Sequence, residues 1–152
     1  MDGSEQRLTA RHTRAWQMLT GALAVHVADE AATDFLGFYN PLIEQIRSEF
    51  SWLPLPTFTF TAWITGLGVL VGLLLLMSGP VRRGAPGTTA ASWILSGILF
   101  MNGVGHLAGS VYFHSWLPGA TSAPLLLITS ASLAASTWNR QRAARGGTVQ
   151  RV

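Results

Sequence analysis

The sequence predicts an all-α fold, a bundle of four transmembrane helices with a short interfacial helix in the first outer loop. Only 11% of the residues are charged, less than half of the usual ~25% for soluble globular chains. Long apolar segments alternate with short segments that are rich in proline and glycine. Histidines and carboxylates interrupt some of these apolar segments, and ionisable groups inside a membrane are costly and usually functional. We therefore interpret residues 1–152 as one membrane domain whose function depends on those polar side chains.

The first predicted span covers residues 15–39 and carries most of the polar groups. His26, Asp29 and Glu30 share one helix face, because the two carboxylates follow the histidine by three and four residues. We expect Asp34 to continue this face for another turn. Each central charge costs about 2.5–3.5 kcal/mol on membrane-insertion scales, so the face should point toward polar partners inside the bundle.

Residues 41–57 are expected to form the first outer loop. The residue before a proline is disfavoured in the helical region, so the Asn40–Pro41 pair should end the first helix. Apolar residues then recur at helical spacing, which predicts the short interfacial helix; they are Leu42, Ile43, Ile46 and Phe50.

Three further spans are predicted from apolar runs, at 58–77, 88–113 and 122–138. The run at 58–77 carries no charge, and about 20 residues at about 1.5 Å each cross a hydrocarbon core of about 30 Å. The segment 78–87 is rich in glycine and proline and is expected to be a connector.

The arginines predict the orientation of the chain in the membrane. One arginine, Arg47, lies on the predicted outer side. The others precede the first span, lie between the second and third, or follow the fourth; they are Arg7, Arg11, Arg14, Arg82, Arg83, Arg140, Arg142, Arg145 and Arg151. Positive charge collects on the cytoplasmic side, so we expect a multi-pass protein of the inner (plasma) membrane with both termini cytoplasmic. Since orientation explains the arginines, no nucleic-acid partner is expected. The absence of cysteine excludes disulfides and iron–sulfur clusters.

Two polar stripes are predicted at matching depth. His26 and Glu30 lie about 15 Å and 21 Å from the inner start of the first span, at the helical rise per residue. Asn102 and His106 lie about 18 Å and 24 Å along the third span, again from the rise, and share a face because they are four residues apart. We therefore expect the two helices to bring these side chains together.

Two imidazoles and a carboxylate are the ligand set of catalytic zinc and of related iron sites. We expect His26, Glu30 and His106 to hold a divalent ion (zinc, iron or manganese). Asp29 and Asp34 are expected to act as base or to orient the ligands, and Asn102 to position the substrate. The favoured hypothesis is a metal-dependent membrane enzyme that acts on a lipid-like or small apolar substrate.

Three alternatives remain open. A buried carboxylate paired with a histidine can move protons without a metal, as in an acid–base isomerase. The same groups can serve a proton-coupled small carrier. A non-enzymatic accessory subunit would use them only to pair helices.

Three short motifs carry a resemblance to a known family. The sequence has His26-Val-Ala-Asp-Glu30, then Asn102-Gly-Val-Gly-His106, and then Pro118-Gly119. This combination resembles the HXXEE family of small bacterial membrane proteins, although Asp29 stands where the family motif has its first glutamate. That family has no assigned activity, so the resemblance supports the position of the site and implies no reaction.

Overall fold

The protein is all-helical, which confirms the predicted fold class at that level. The computed structural model describes residues 3–149, and it contains no strand in that range. The helices of this described part are α1 (Gly3–Ala32), α2 (Phe35–Glu49), α3 (Phe60–Arg83), α4 (Thr88–Tyr112) and α5 (Ala123–Val149). By length and composition, α3 and α4 are the helices of this part that are apolar enough to cross a membrane.

The first helix ends earlier than predicted, and the expectation of one helix over residues 15–39 is wrong. α1 stops at Ala32, and the backbone of Asp34 is left-handed, with φ 58° and ψ 50°. Aspartate tolerates this conformation because its short polar side chain can bond locally. Its carboxylate accepts a hydrogen bond from the backbone N–H of Gly37 at 3.3 Å and so caps α2. Asp34 therefore does not continue the polar face of α1.

The prediction that Pro41 ends a helix is also wrong, because this proline lies inside α2. A helical proline lacks one backbone donor and crowds the preceding turn, so other contacts must hold the helix in place. The side chain of Asn40 supplies two of them: its Nδ2 donates to the carbonyl of Phe58 at 2.9 Å, and its Oδ1 accepts from the N–H of Phe58 at 3.1 Å. These bonds tie α2 to the chain just before α3.

The second apolar run forms a longer helix than predicted. Thr59 caps the start of α3, and Gly84 ends it in the left-handed conformation, with φ 64°. The helix therefore takes up much of the expected connector 78–87, and the chain between α3 and α4 is correspondingly short. Arg82 and Arg83 occupy its last turn, where a positive charge is favourable beside the unpaired carbonyls.

α1 occupies the centre of the structure. It packs along both α3 and α5, and α4 packs along α5 and touches α1. The Nε1–H of Trp16, which is buried, donates to the backbone carbonyl of Leu74 on α3 at 2.9 Å. The polar face of α1 is consequently turned into the protein, toward α4 and the turn that precedes α5.

Candidate functional site

A buried group of two histidines and one glutamate lies between α1 and α4. His26 and Glu30 come from consecutive turns of α1, and His106 comes from α4. The Oε1 atom of Glu30 lies 3.1 Å from Nε2 of His106 and 3.5 Å from Nε2 of His26. The two imidazole rings meet edge to face, with centroids 4.7 Å apart. One ligand atom from each of the three residues lies within 4.8 Å of the others, so this group can hold a metal ion.

The turn between α4 and α5 fixes the ring of His106. Its Nδ1 lies 2.6 Å from the backbone carbonyl oxygen of Pro118. Gly119 follows with a φ of 81°, a conformation that favours glycine. A Cβ at this position would lie 2.8 Å from Cε1 of His106 and 3.0 Å from Cγ of Glu30. The bare backbone of Gly119 therefore lets the turn close directly against both site residues.

The ring of His26 is held by a serine and an aspartate. Its Nδ1 lies 2.8 Å from Oγ of Ser122. The hydroxyl of Ser122 lies 2.7 Å from Oδ2 of Asp29, and the same carboxylate oxygen accepts from the N–H of Ser122 at 2.9 Å. Asp29 thus acts on the site through Ser122, and it fixes the start of α5 against α1.

Three other residues were predicted to belong to the site, and they lie outside the group of His26, Glu30 and His106. Asp29 is half-buried and faces the turn before α5. Asn102 is exposed on α4, one turn before His106. Asp34 is exposed at the start of α2, where its carboxylate bonds to the backbone of Gly37. The expected contribution of Asp34 to the polar face is absent because α1 ends before this residue.

An aromatic cover lies over His106. The ring of Phe35 at the start of α2 is 5.9 Å from the imidazole, between centroids, and 5.8 Å from Trp63 of α3. Phe35 is the first residue of α2 after the break that follows α1. The side chain of Glu30 is buried, at 6% exposure.

The other two histidines of the described chain lie elsewhere. His114 is exposed in the turn after α4. His12, to which the sequence assigns no role, is fully buried where α1 meets α4 and α5; its ring nitrogens lie 3.2 Å from Ser136 Oγ and 3.2 Å from Ser92 Oγ. Burial, together with the nearby Arg140, lowers the pKa of His12 to about 4. With its pKa this far below 7, His12 is a neutral hydrogen-bonding group at pH 7.

Sequence reasoning missed two supports of the site. Ser122 directly precedes α5, and a serine in that place is normally explained as a helix cap. The carbonyl of Pro118 has no signal in the sequence, because every residue has such a group. The one available hint is the Pro118–Gly119 pair, since a glycine is needed where two site residues approach the backbone.

The comparison with protein families confirms the resemblance to the HXXEE family. Residues 17–134 match the family described as a protein of unknown function with HXXEE motif. The match spans most of the chain, and the protein belongs to this family. No curated protein and no solved structure matches the sequence.

Proposed function

We propose that this HXXEE protein is an integral membrane enzyme that holds a divalent metal ion between His26, Glu30 and His106. The substrate we propose is lipid-like or a small apolar molecule. The observation that carries the proposal is the convergence of three lone-pair-bearing atoms in a buried space. The other parts of the site would then serve to position these ligands and the substrate.

The hydrogen bonds indicate which nitrogen of each ring carries the proton. A carbonyl oxygen can only accept, so Nδ1 of His106 must donate to Pro118. The hydroxyl hydrogen of Ser122 goes to Asp29 or to the carbonyl of Gly119, both of which are acceptors. Ser122 Oγ therefore accepts from Nδ1 of His26. In the neutral rings both Nε2 atoms bear lone pairs.

These lone pairs face a carboxylate oxygen, which also cannot donate when ionised. A single proton would join Glu30 to one of the two rings and leave the other without a partner. Nε2 of His26 has no hydrogen-bonding partner, although it is buried. A divalent cation would satisfy all three atoms at once, which is the usual solution for a buried cluster of this kind.

The spacing of the ligand atoms suits a small ion. Donors bound at about 2.0–2.1 Å to a tetrahedral ion lie about 3.3 Å from one another. The two distances from Glu30 Oε1, 3.1 and 3.5 Å, lie on either side of this value. Two histidines and a glutamate form the set that catalytic zinc uses, with a position left for water or substrate; iron and manganese accept similar ligands.

The membrane part of the proposal is supported by the apolar side chains that are exposed on α3 and α4. Only 11% of the most apolar stretch of α3 and 22% of that of α4 is buried inside the protein. Large apolar side chains instead cover the outside of these helices; examples are Val69, Leu73, Leu76, Ile94 and Ile98. The interior holds the two histidines and the glutamate of the site and several hydroxyl groups beside its apolar core. We propose that α1 and α5 cross beside α3 and α4, with both termini cytoplasmic as the arginines indicate.

The residues of the site would divide the work as follows. A metal ion bound there would supply a Lewis acid or an activated water. His26 and His106 would be kept in one tautomer by Ser122 and by the carbonyl of Pro118, as is usual for metal-bound histidines. Asp29 would hold Ser122, and the aromatic cover would keep bulk water from Glu30.

The metal-free alternative has one observation in its favour. The 3.1 Å contact between Glu30 and His106 is within hydrogen-bonding distance, so a proton can pass between the two groups, as an acid–base site would need. The metal site and the acid–base site differ in whether the purified protein retains a metal ion.

The test is the metal content of detergent-purified protein, measured by elemental mass spectrometry. We expect close to one zinc, iron or manganese per chain. His26→Ala, His106→Ala and Glu30→Gln should each lose it, while His114→Ala, a change at an exposed histidine, should retain it. Circular dichroism establishes that each variant is folded. Wild-type protein that is metal-free after gentle purification, and takes up none on dialysis, would contradict the proposal and favour the acid–base site.

A further inference from the structure

Asn102 is an isolated polar group on an apolar surface. Its side chain is exposed on α4, and within the described residues it makes no hydrogen bond. Its neighbours Ile98 and Met101 are also exposed, at 62% and 64%. An unpaired amide is costly in hydrocarbon, so a membrane protein gains from such a group only when something bonds to it. The position therefore needs a polar partner that comes from outside the chain.

The amide lines a pocket that reaches the metal group. The pocket has a volume of about 250 Å³ and opens between α2 and α4. Phe35 and Phe38 form one wall, Leu117 and Pro118 form another, and the floor includes His106. At roughly 30 Å³ per group, about the share of a water molecule, this space takes about eight methylene-sized groups.

One side of the pocket is left open by a glycine. Gly105 also lines it, and a Cβ built there would meet no atom within 4 Å. At the outer end, Phe38 packs edge to face on Phe113, with centroids 5.4 Å apart. The cavity is thus apolar on most sides, with Asn102 and His106 as its polar members, and no arginine or lysine is among the residues that line it.

We propose that this pocket binds a single-chain lipid whose end carries an uncharged hydroxyl or carbonyl oxygen, and that it admits this lipid sideways from the bilayer. The amide of Asn102 both donates and accepts, so it can bond either oxygen. No arginine or lysine stands beside Asn102 in the lining to neutralise a carboxylate or phosphate end, and this disfavours charged ends there. The apolar chain leaves between α2 and α4 into the surrounding lipid.

The proposal rests on the proposed function, because it names the substrate class of the same site. Asn102 and His106 lie on one face of α4, one turn apart. A lipid oxygen bonded to the amide of Asn102 is therefore directed toward the imidazole of His106. The Nε2 atom of this ring faces Glu30. Asn102 acts in this scheme as the group that orients the lipid end, and the two phenyl rings select an apolar chain.

The probe is hexadecanol with a photoreactive diazirine in its chain, added to the full-length protein in nanodiscs. After irradiation, peptide mass spectrometry should place the label on α2 and on α4 around the pocket. Unlabelled hexadecanol should compete at least tenfold better than hexadecane or palmitate. Asn102→Leu should abolish this preference for the alcohol, and Gly105→Leu should reduce pocket labelling at least fivefold by filling the space.

Met101→Leu is the matched control, because Met101 is exposed on the same turn but does not line the pocket; it should label as the wild type does. Label spread evenly over the outer faces of α3 and α4 would overturn the proposal, and so would equal competition by hexadecane. Metal content, measured on the same samples, separates the two proposals. Pocket labelling in a metal-free protein would support the lipid site and contradict the metal, whereas bound metal without pocket labelling would do the reverse.

Discussion

Replacing Gly119 by alanine tests whether the turn before α5 shapes the metal group. The backbone at Gly119 has a φ of 81°, and an L-residue in a left-handed conformation costs about 1–2 kcal/mol. The new Cβ would also lie 2.8 Å from Cε1 and 2.9 Å from Nδ1 of His106. These distances are too short for carbon, so the imidazole or the turn has to move.

The size of the effect follows from the backbone strain at Gly119 and from the overpacking against His106. Overpacking of a filled interior costs about 1–3 kcal/mol, and with the backbone strain we expect Gly119→Ala to lower the free energy of unfolding by about 2–5 kcal/mol. Any shift of the ring also lengthens the bond from Nδ1 of His106 to Pro118, which is now 2.6 Å. Loss of such a support weakens metal binding by about 10–100-fold.

Two measurements check this prediction: denaturant unfolding in mild detergent, and competition for the metal against a chelator of known affinity. Gly21→Ala is the matched control, because Gly21 is exposed in α1 and a Cβ there would meet nothing within 4 Å. That variant should keep its metal and gain up to about 1 kcal/mol from helix propensity. If Gly119→Ala binds metal and unfolds as the wild type does, the turn does not constrain the site and the reasoning fails.

Two further predictions concern side chains that sequence reasoning left without a role. Ser122→Ala removes the acceptor for Nδ1 of His26 and should weaken metal binding about 10–100-fold with the fold retained. Ser132→Ala, at an exposed serine of α5, is its control in the same chelator assay. Equal metal affinities of the two variants would refute the role of Ser122. The pKa of His12 is lowered from 6.5 to about 4, so the unfolded chain takes up a proton at a higher pH than the folded protein does. The free energy of unfolding therefore falls as the pH drops from 6.5 toward 4. The free energy of unfolding should decrease by about 2 kcal/mol between pH 7 and pH 5, and His12→Gln should remove that part of the slope in unfolding curves at both pH values.

The sequence was informative wherever helical spacing alone decides which residues meet. His26 and Glu30 are one turn apart in an unbroken part of α1, so their common face follows from the period of the helix. The depth of His106 in the third predicted span then placed it at the same level. Both inferences need only the rise and period of a helix, which vary little between proteins.

The sequence failed where tertiary contacts outweigh local preference. Pro41 is a signal for a helix end, yet α2 continues through it because Asn40 bonds to the chain before α3. In the opposite sense, Asp34 sits in a stretch that suits a continuing helix, and its own carboxylate provides the cap that starts a new one. Neither outcome can be read from periodicity, since each depends on one side-chain bond to the backbone.

The turn between α4 and α5 has a role that the helices cannot take. Helix packing brings His26, Glu30 and His106 within reach of one another, but it does not determine which nitrogen of each ring is protonated. That choice comes from Pro118 and Ser122, which occupy Nδ1 of the two rings and direct both Nε2 atoms toward Glu30. A polar contact between two helices thereby becomes a set of three converging acceptors, which is an arrangement that can hold a cation. The pairing of helices alone would not require this arrangement.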